Sequence, residues 1–180
     1  MLRKVLALDL ATKLGWAYGD PYAGEPRYGS QRIEGADFGA FVRNYHDWLV
    51  AKLADRPDVI VFEEAMQTTA GHTPKATSQR LDAMITMTEY VCACQRIPPR
   101  QIHLGTWRAA VCPKQGNLGK VRAKGMGIVY PPIKMCRDRG WEPSDDNEAD
   151  ALGIWLYCAS RIAPREVARF DPINRGLLAA

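Results

Sequence analysis

The run Val5-Leu6-Ala7-Leu8-Asp9 constrains the fold more than any other stretch: four apolar side chains in succession, closed by one carboxylate. Such a run forms a buried strand that holds an acid at its tip. Burying an unpaired carboxylate costs on the order of several kcal/mol, so Asp9 demands a cation, a metal ion or a cap. The pattern returns at residues 58–64, where Val59, Ile60, Val61 and Phe62 lead into Glu63 and Glu64.

What lies between the two runs sets their relation. Gly15-Trp16-Ala17-Tyr18 and residues 27–33 read as second and third strands, joined by the turn residues Asp20-Pro21 and Glu25-Pro26. Three strands on short turns make an antiparallel meander, whereas a doubly wound fold would place a helix after the first strand. From Asp37 onward, Phe38, Phe41, Val42, Tyr45, Trp48, Leu49 and Leu53 recur at helical spacing and form one apolar stripe. A strand that follows this helix can pair parallel to the first and bring two acidic tips together. Strand side chains alternate, so only one of Glu63 and Glu64 can share a face with Asp9.

Composition bounds the class. A chain of 180 residues, 47% of them hydrophobic, fits one domain with a sizeable core. No apolar run approaches the roughly 18 residues of a membrane span, and residues 1–4 lead directly into a strand, so a soluble, cytoplasmic protein is expected. The five cysteines match no zinc spacing and read as free thiols. The net charge of +4 is unevenly spread: no acid occurs between Glu89 and Asp138, while Arg96, Arg100, Arg108, Lys114, Lys120, Arg122, Lys124, Lys134 and Arg137 all fall there. A segment of one sign beside an acidic site suggests a surface for a polyanion, although an ordinary solvated face would look the same.

Residues 66–77 form a polar loop at the acidic end of the sheet, a common place for substrate contacts, and hold Met66, His72 and Lys75. A helix over 78–95 is expected next, then a short strand over 101–104 and a helix capped by Thr106. Residues 120–129 read as a further helix, ended by Pro131-Pro132. The last long helix opens at Asp145, its N-cap, with Glu148 completing a capping-box pair. Asp146 and Asp150 stand four apart and share a face, and Asp150 lies too deep in the helix for capping to explain it.

Two strand tips, Asp9 and Glu63, and one helix face, Asp146 and Asp150, thus supply carboxylates. Clustered acids raise one another's pKa values unless divalent cations compensate them. Oxygen-only ligands suit Mg2+ or Mn2+, and two such ions about 3.5–4 Å apart can promote in-line hydrolysis of a phosphodiester. The basic segment would supply phosphate contacts.

In their order and spacing, VLALDLATKLGWA, VIVFEEA and GWEPSDDNEADALGIW resemble the RuvC-type Holliday junction resolvases of the ribonuclease H-like superfamily, above all phage and prophage members. The resemblance covers nearly the whole chain. It implies one nuclease domain over residues 1–180, with a mixed five-stranded sheet of three antiparallel strands followed by parallel ones and helices on both faces. It implies a homodimer that cuts branched DNA, four-way junctions included, with two Mg2+ or Mn2+ ions per site. Asp9, Glu63 and Asp150 carry over as ligands, with a partner one turn before Asp150. There the chain departs from the common pattern: Asn147 stands three before Asp150 and Asp146 four before, and Asp146 is preferred for its charge. Met66, His72, Lys75, Arg108, Lys114, Lys120 and Lys124 are the expected DNA contacts. Pro131-Pro132 interrupts a helix that the family runs unbroken.

Other readings compete. The same fold could process structured RNA, and the opening strand also resembles the phosphate-binding strand of actin-like ATPases. That second likeness wants a glycine where Ala11 stands and a second glycine-rich loop that the chain lacks. A DNA-binding module without catalysis would gain nothing from acids beside phosphates.

Overall fold

A computed structural model describes residues 3–64, 75–112, 121–123 and 127–171. Strands β1 (Val5–Asp9), β2 (Lys13–Gly19) and β3 (Arg27–Arg32) form the antiparallel meander, with helix α1 (Phe38–Leu53) next and β4 (Val59–Glu63) after it. Helix α2 (Lys75–Gln95) leads to β5 (Pro99–Ile102) and α3 (Leu104–Val111). The sheet order is β3-β2-β1-β4-β5, with β4 parallel to both β1 and β5. This is the mixed five-stranded sheet that the sequence predicts.

Two residue periods sort the core. On β1 and β4, Leu6, Leu8, Ile60 and Phe62 point to the face covered by α1 and α2, where they meet Phe41, Leu49 and Met84. Val5, Ala7, Val59 and Val61 point to the opposite face, against α5 (Asp146–Ile162). A strand buried on both faces reads as an unbroken apolar run, which is why these two strands are so conspicuous. Across the first face, the Tyr45 hydroxyl donates to Thr88 Oγ1, which donates to the Met84 carbonyl at 2.7 Å, so this buried polar pair is satisfied.

Helix α5 is the centre of the second layer, and its residues from Glu148 to Leu156 are all buried. Trp155 donates to the Gly19 carbonyl at 3.3 Å, and its ring packs edge-on to Trp141 and Phe170. The N-terminus of α5 is tied down as the sequence predicts. Asp145 accepts from the Glu148 amide at 2.9 Å, while the Glu148 carboxylate reaches one residue further back than a regular capping box and accepts from the Ser144 amide. Lys13 and Ser30 hold the Asp145 carboxylate from β2 and β3, at 2.5 and 3.0 Å.

Four local expectations are corrected. Residues 121–123 and 127–129 are not helical: β6 (Val121–Ala123) pairs antiparallel with β7 (Gly127–Val129). Gly125 and Gly127 disfavour helix, and Val121, Ile128 and Val129 favour strand, which outweighs the weak periodicity. Pro131-Pro132 opens helix α4 (Pro131–Asp138) instead of closing one, since proline is tolerated in a first turn whose amides lack partners. Helix α3 is capped by His103, whose Nδ1 accepts from the Gly105 amide at 3.1 Å, and not by Thr106; His103 is therefore no strand residue. Helix α2 begins at Lys75, three residues earlier than the sequence indicates.

Gly15, opposite Asp9 in the β1–β2 register, sets how near α5 comes to the sheet. A Cβ there would stand 1.9 Å from the Asn147 carbonyl oxygen. Gly15→Ala must therefore push the first turn of α5 outward. We expect a loss of about 2–3 kcal/mol in urea unfolding, with cooperativity retained.

Candidate active site

The carboxyl ends of β1 and β4 lie side by side because the two strands run parallel in register, Leu8 opposite Phe62. One step further along that register stand Asp9 and Glu63. By alternation both fall on the face of Ala7 and Val61, under α5, while Glu64 is exposed and its amide donates to the Ile102 carbonyl. Asp150 comes down from the second turn of α5 onto the same end of the sheet and is buried. The parity of the strand thus separates Glu63 from Glu64.

The electrostatics show how closely the three acids meet. Burial raises the Asp9 carboxyl well above its usual value, and the charges of Asp150 and Glu63 push it further in the same direction, against a lowering from Arg108. Glu63 is raised by burial, which outweighs the hydrogen bond from Trp107 and the charges of Arg108 and His103. Asp150 is raised to about 7, again by burial first, against the hydrogen bond from Tyr130 and the charge of Arg108. Asp145 behaves differently: hydrogen bonds from Lys13, the Glu148 amide and Ser30 overcome its burial and hold it below the ordinary range. That contrast separates an acid used for capping from acids left in need of a cation.

Helix α3 and the segment before α4 supply the surroundings. Trp107 Nε1 donates to Glu63 Oε1 at 2.6 Å, and the indole lies against α5 where Gly153 makes room for it. A Cβ at Gly153 would stand 2.3 Å from the ring. Arg108 donates to Asp150 Oδ2 at 3.0 Å, and the Tyr130 hydroxyl donates to the same oxygen at 2.6 Å while accepting from Arg108. Burial and the charge of Asp150 keep that phenol protonated. Asp150 Oδ1, in contrast, is buried without a partner among the described residues, as is Arg108 Nε.

The other expected site residues divide. Asp146 and Asn147 both stand half-buried in the first turn of α5, and Asn147 meets Gly15 through its backbone carbonyl. Lys75 is exposed at the start of α2, and Arg108 is turned inward onto Asp150, with 13% of its side chain accessible. Met66, His72, Lys114, Lys120 and Lys124 lie outside the described residues. Charge composition singled out Arg108 as a phosphate contact, and nothing singled out Trp107 or Tyr130. A usable signal existed: Trp107 and Arg108 open the helix that follows β5, at the sheet end where both acidic tips emerge. The basic segment is also less isolated in space than in sequence, since Lys134 pairs with Asp138 and Arg137 with Glu142.

Among the described residues, no three His, Cys, Asp or Glu side chains stand close enough to grip a metal ion as they are arranged. The donor set nevertheless fits a hard divalent cation: it is all oxygen, its acids are raised by burial, Asp9 and Asp150 also by neighbouring carboxylates, and Asp150 Oδ1 is a buried acceptor with no donor among the described residues.

Comparison with known proteins finds no matching family description and no matching curated sequence. Solved structures do match. RuvC of Thermus thermophilus in complex with Holliday junction substrate superposes with a TM-score of 0.65 at 14% identity, over 89% of this chain and 96% of that one. This chain has the RuvC fold. A second Thermus thermophilus RuvC structure gives a TM-score of 0.60 at 16% identity, over 89% and 96% of the two chains. The yeast mitochondrial Holliday junction resolvase Ydc2 gives 0.56 at 9%, over 97% of this chain and 83% of that one. Among the described residues, no helix is long and apolar enough to cross a membrane.

The raised acids bear on stability with a definite sign. A carboxyl whose folded pKa lies above its unfolded value stabilises the fold while protonated, and that contribution is lost as pH rises through the folded value. For Asp150 the window runs from about 4, the unfolded value, to about 7. Metal-free Asp9→Asn should therefore melt higher than the native chain at pH 8 by several degrees, with the difference shrinking towards pH 5. Calorimetry at the two pH values measures this; a difference that grows towards pH 5 would show that Asp9 is not raised.

Proposed function

We propose that this chain is a metal-dependent, structure-selective endonuclease that resolves Holliday junctions and other branched DNA by phosphodiester hydrolysis. The observation that carries the reading is the placing of Asp9, Glu63 and Asp150 at one end of a RuvC-fold sheet, all three raised by burial and Asp9 and Asp150 also by neighbouring carboxylate charge. The compared RuvC is described with a Holliday junction substrate, and Ydc2 as a Holliday junction resolvase. Resemblance of VLALDLATKLGWA and GWEPSDDNEADALGIW to phage and prophage resolvases extends the reading to a phage-type enzyme with one nuclease domain over residues 1–180.

On this reading Asp9, Glu63 and Asp150 hold Mg2+ or Mn2+, with Asp146, or Asn147 in its place, as the fourth ligand. When bound, such ions supply a Lewis acid at the phosphate, a lowered pKa for the attacking water and charge compensation for the leaving oxygen. The residues themselves do the placing. Trp107 fixes one oxygen of Glu63, and Tyr130 fixes one oxygen of Asp150, so each carboxylate keeps its other oxygen for the centre of the site. Lys13 and Ser30, through Asp145, keep the first turn of α5 over Gly15 and so hold Asp150 above Asp9. The exposed cations Lys75, Arg96, Arg100, Lys134 and Arg137, with others of the basic segment, contact phosphates, and a homodimer would present two such sites to opposed strands.

Cleavage of a labelled four-way DNA junction, linear duplex and structured RNA in Mg2+ tests the reading. We expect symmetric nicking of the junction alone, with Asp9→Asn and Asp150→Asn each reducing it at least about a thousandfold while junction binding in Ca2+ persists. Undiminished nicking in both variants would refute the mechanism, and preferential RNA cleavage would move the enzyme to RNA processing.

A further inference from the structure

Arg108 is the charged side chain that the site already contains, and its contacts are incomplete. Its guanidinium reaches Asp150 Oδ2 with one prong, at 3.0 Å, while Nε is buried without an acceptor and Asp150 Oδ1 without a donor. A two-pronged arginine–carboxylate pair would have satisfied these atoms together. Instead the guanidinium is held above two rings, 5.2 Å from the centre of Trp107 and 5.3 Å from that of Tyr130. It is almost enclosed. Among the described residues, one monovalent side chain is thus paired into a cluster of three carboxylates, Asp9 and Glu63 at adjacent strand ends and Asp150 on α5.

We propose that Arg108 is the resident cation of the acid cluster: it occupies the site before a divalent ion enters and gives up Asp150 Oδ2 when one does. The inference rests on the metal-binding reading above. A dication entering beside a fixed guanidinium meets repulsion, and coordination by both Asp150 oxygens, or by Oδ2, removes the acceptor that keeps Arg108 in place. The single prong and the orphaned Nε make this contact one that a stronger cation can displace. Trp107 and Tyr130 offer ring faces on which the released guanidinium can remain near the site, its donors free for a phosphate oxygen. Arg108 is a positioning residue in the metal-free state and sets the metal concentration at which the site loads.

The alternative role has the opposite sign. If Arg108 merely oriented Asp150 for the metal, its removal would weaken binding. Mn2+ binding without DNA, followed by paramagnetic resonance for the native chain, Arg108→Gln, Arg108→Lys and Asp9→Asn, separates the two. We expect Arg108→Gln to bind Mn2+ about tenfold more tightly, from the loss of one positive charge beside the ion, with Arg108→Lys nearer the native value. In the native chain the Arg108 guanidinium resonance, assigned by its disappearance in Arg108→Lys, should shift on titration with Mg2+. Equal or weaker Mn2+ binding by folded Arg108→Gln, where native binding depends on Asp9, overturns the proposal and leaves the metal reading standing. If the variant does not fold, a guanidinium resonance unmoved at saturating Mg2+ overturns it alone. No Asp9-dependent Mn2+ binding by the native chain sinks the metal reading, and the proposal with it.

Discussion

Everything in this chain turns on keeping three carboxylates in a space that water only partly reaches. Asp9, Glu63 and Asp150 each pay for burial with a raised pKa, and two of them raise Asp9 further through space. A fold made only for stability would place an apolar residue at each position, because isolated buried charge is destabilising while a well-packed side chain is not. The surrounding structure must hold the acids together against their repulsion. It does so with apolar material: both faces of β1 and β4 are buried, and α5 is enclosed along nine successive residues, Glu148 to Leu156. Rigid elements on every side prevent the cluster from relaxing outwards.

The approach of α5 is the most demanding part of this arrangement. A helix lying on a sheet usually stands off by the length of its side chains, yet here a backbone carbonyl of α5 meets the Cα of Gly15. The close contact carries Asp150 to the strand tips. Lys13, Ser30 and the Asp145 cap pin the same turn from the side, so backbone fit and electrostatics act on one element. Gly153 does the equivalent for α3, where the missing Cβ admits the Trp107 ring that holds Glu63. Two absent side chains on facing surfaces therefore determine where two of the three acids can be.

Much of this could be read from residue patterns, for reasons that differ from place to place. The two apolar runs ending in acid announced the central strands because parallel strands covered on both faces carry no polar alternation. Period two allowed only one of Glu63 and Glu64 to share the face of Asp9, the resemblance to the resolvases chose Glu63, and the depth of Asp150 in its helix marked it as unexplained by capping. Residues 120–129 carry a weak helical periodicity, but two glycines and three β-branched residues in the same stretch oppose a helix. Thr106 looked like a cap because hydroxyl side chains commonly are, but the helix begins two residues earlier and a histidine nitrogen serves instead. The partnership of Arg108 with Asp150 spans 42 positions and depends on the parallel crossover, so no local pattern contains it.

That last point changes how the basic segment is understood. Forty-eight residues without an acid, from position 90 to 137, suggest an uninterrupted positive surface. The fold supplies acids from elsewhere: Asp150 faces Arg108, and Asp138 and Glu142, just beyond the segment, face Lys134 and Arg137. The exposed pairs are screened and weak, and leave their cations available to a polyanion. The enclosed pair is different in kind, because exchanging its partner requires that another cation take the carboxylate. A linear charge run therefore mixes two populations: cations that a nucleic acid can recruit directly, and one whose release is coupled to what enters the acid cluster. On the proposed reading, a divalent ion and a phosphate contact are linked ligands, because each would compete for or free the same Arg108 guanidinium.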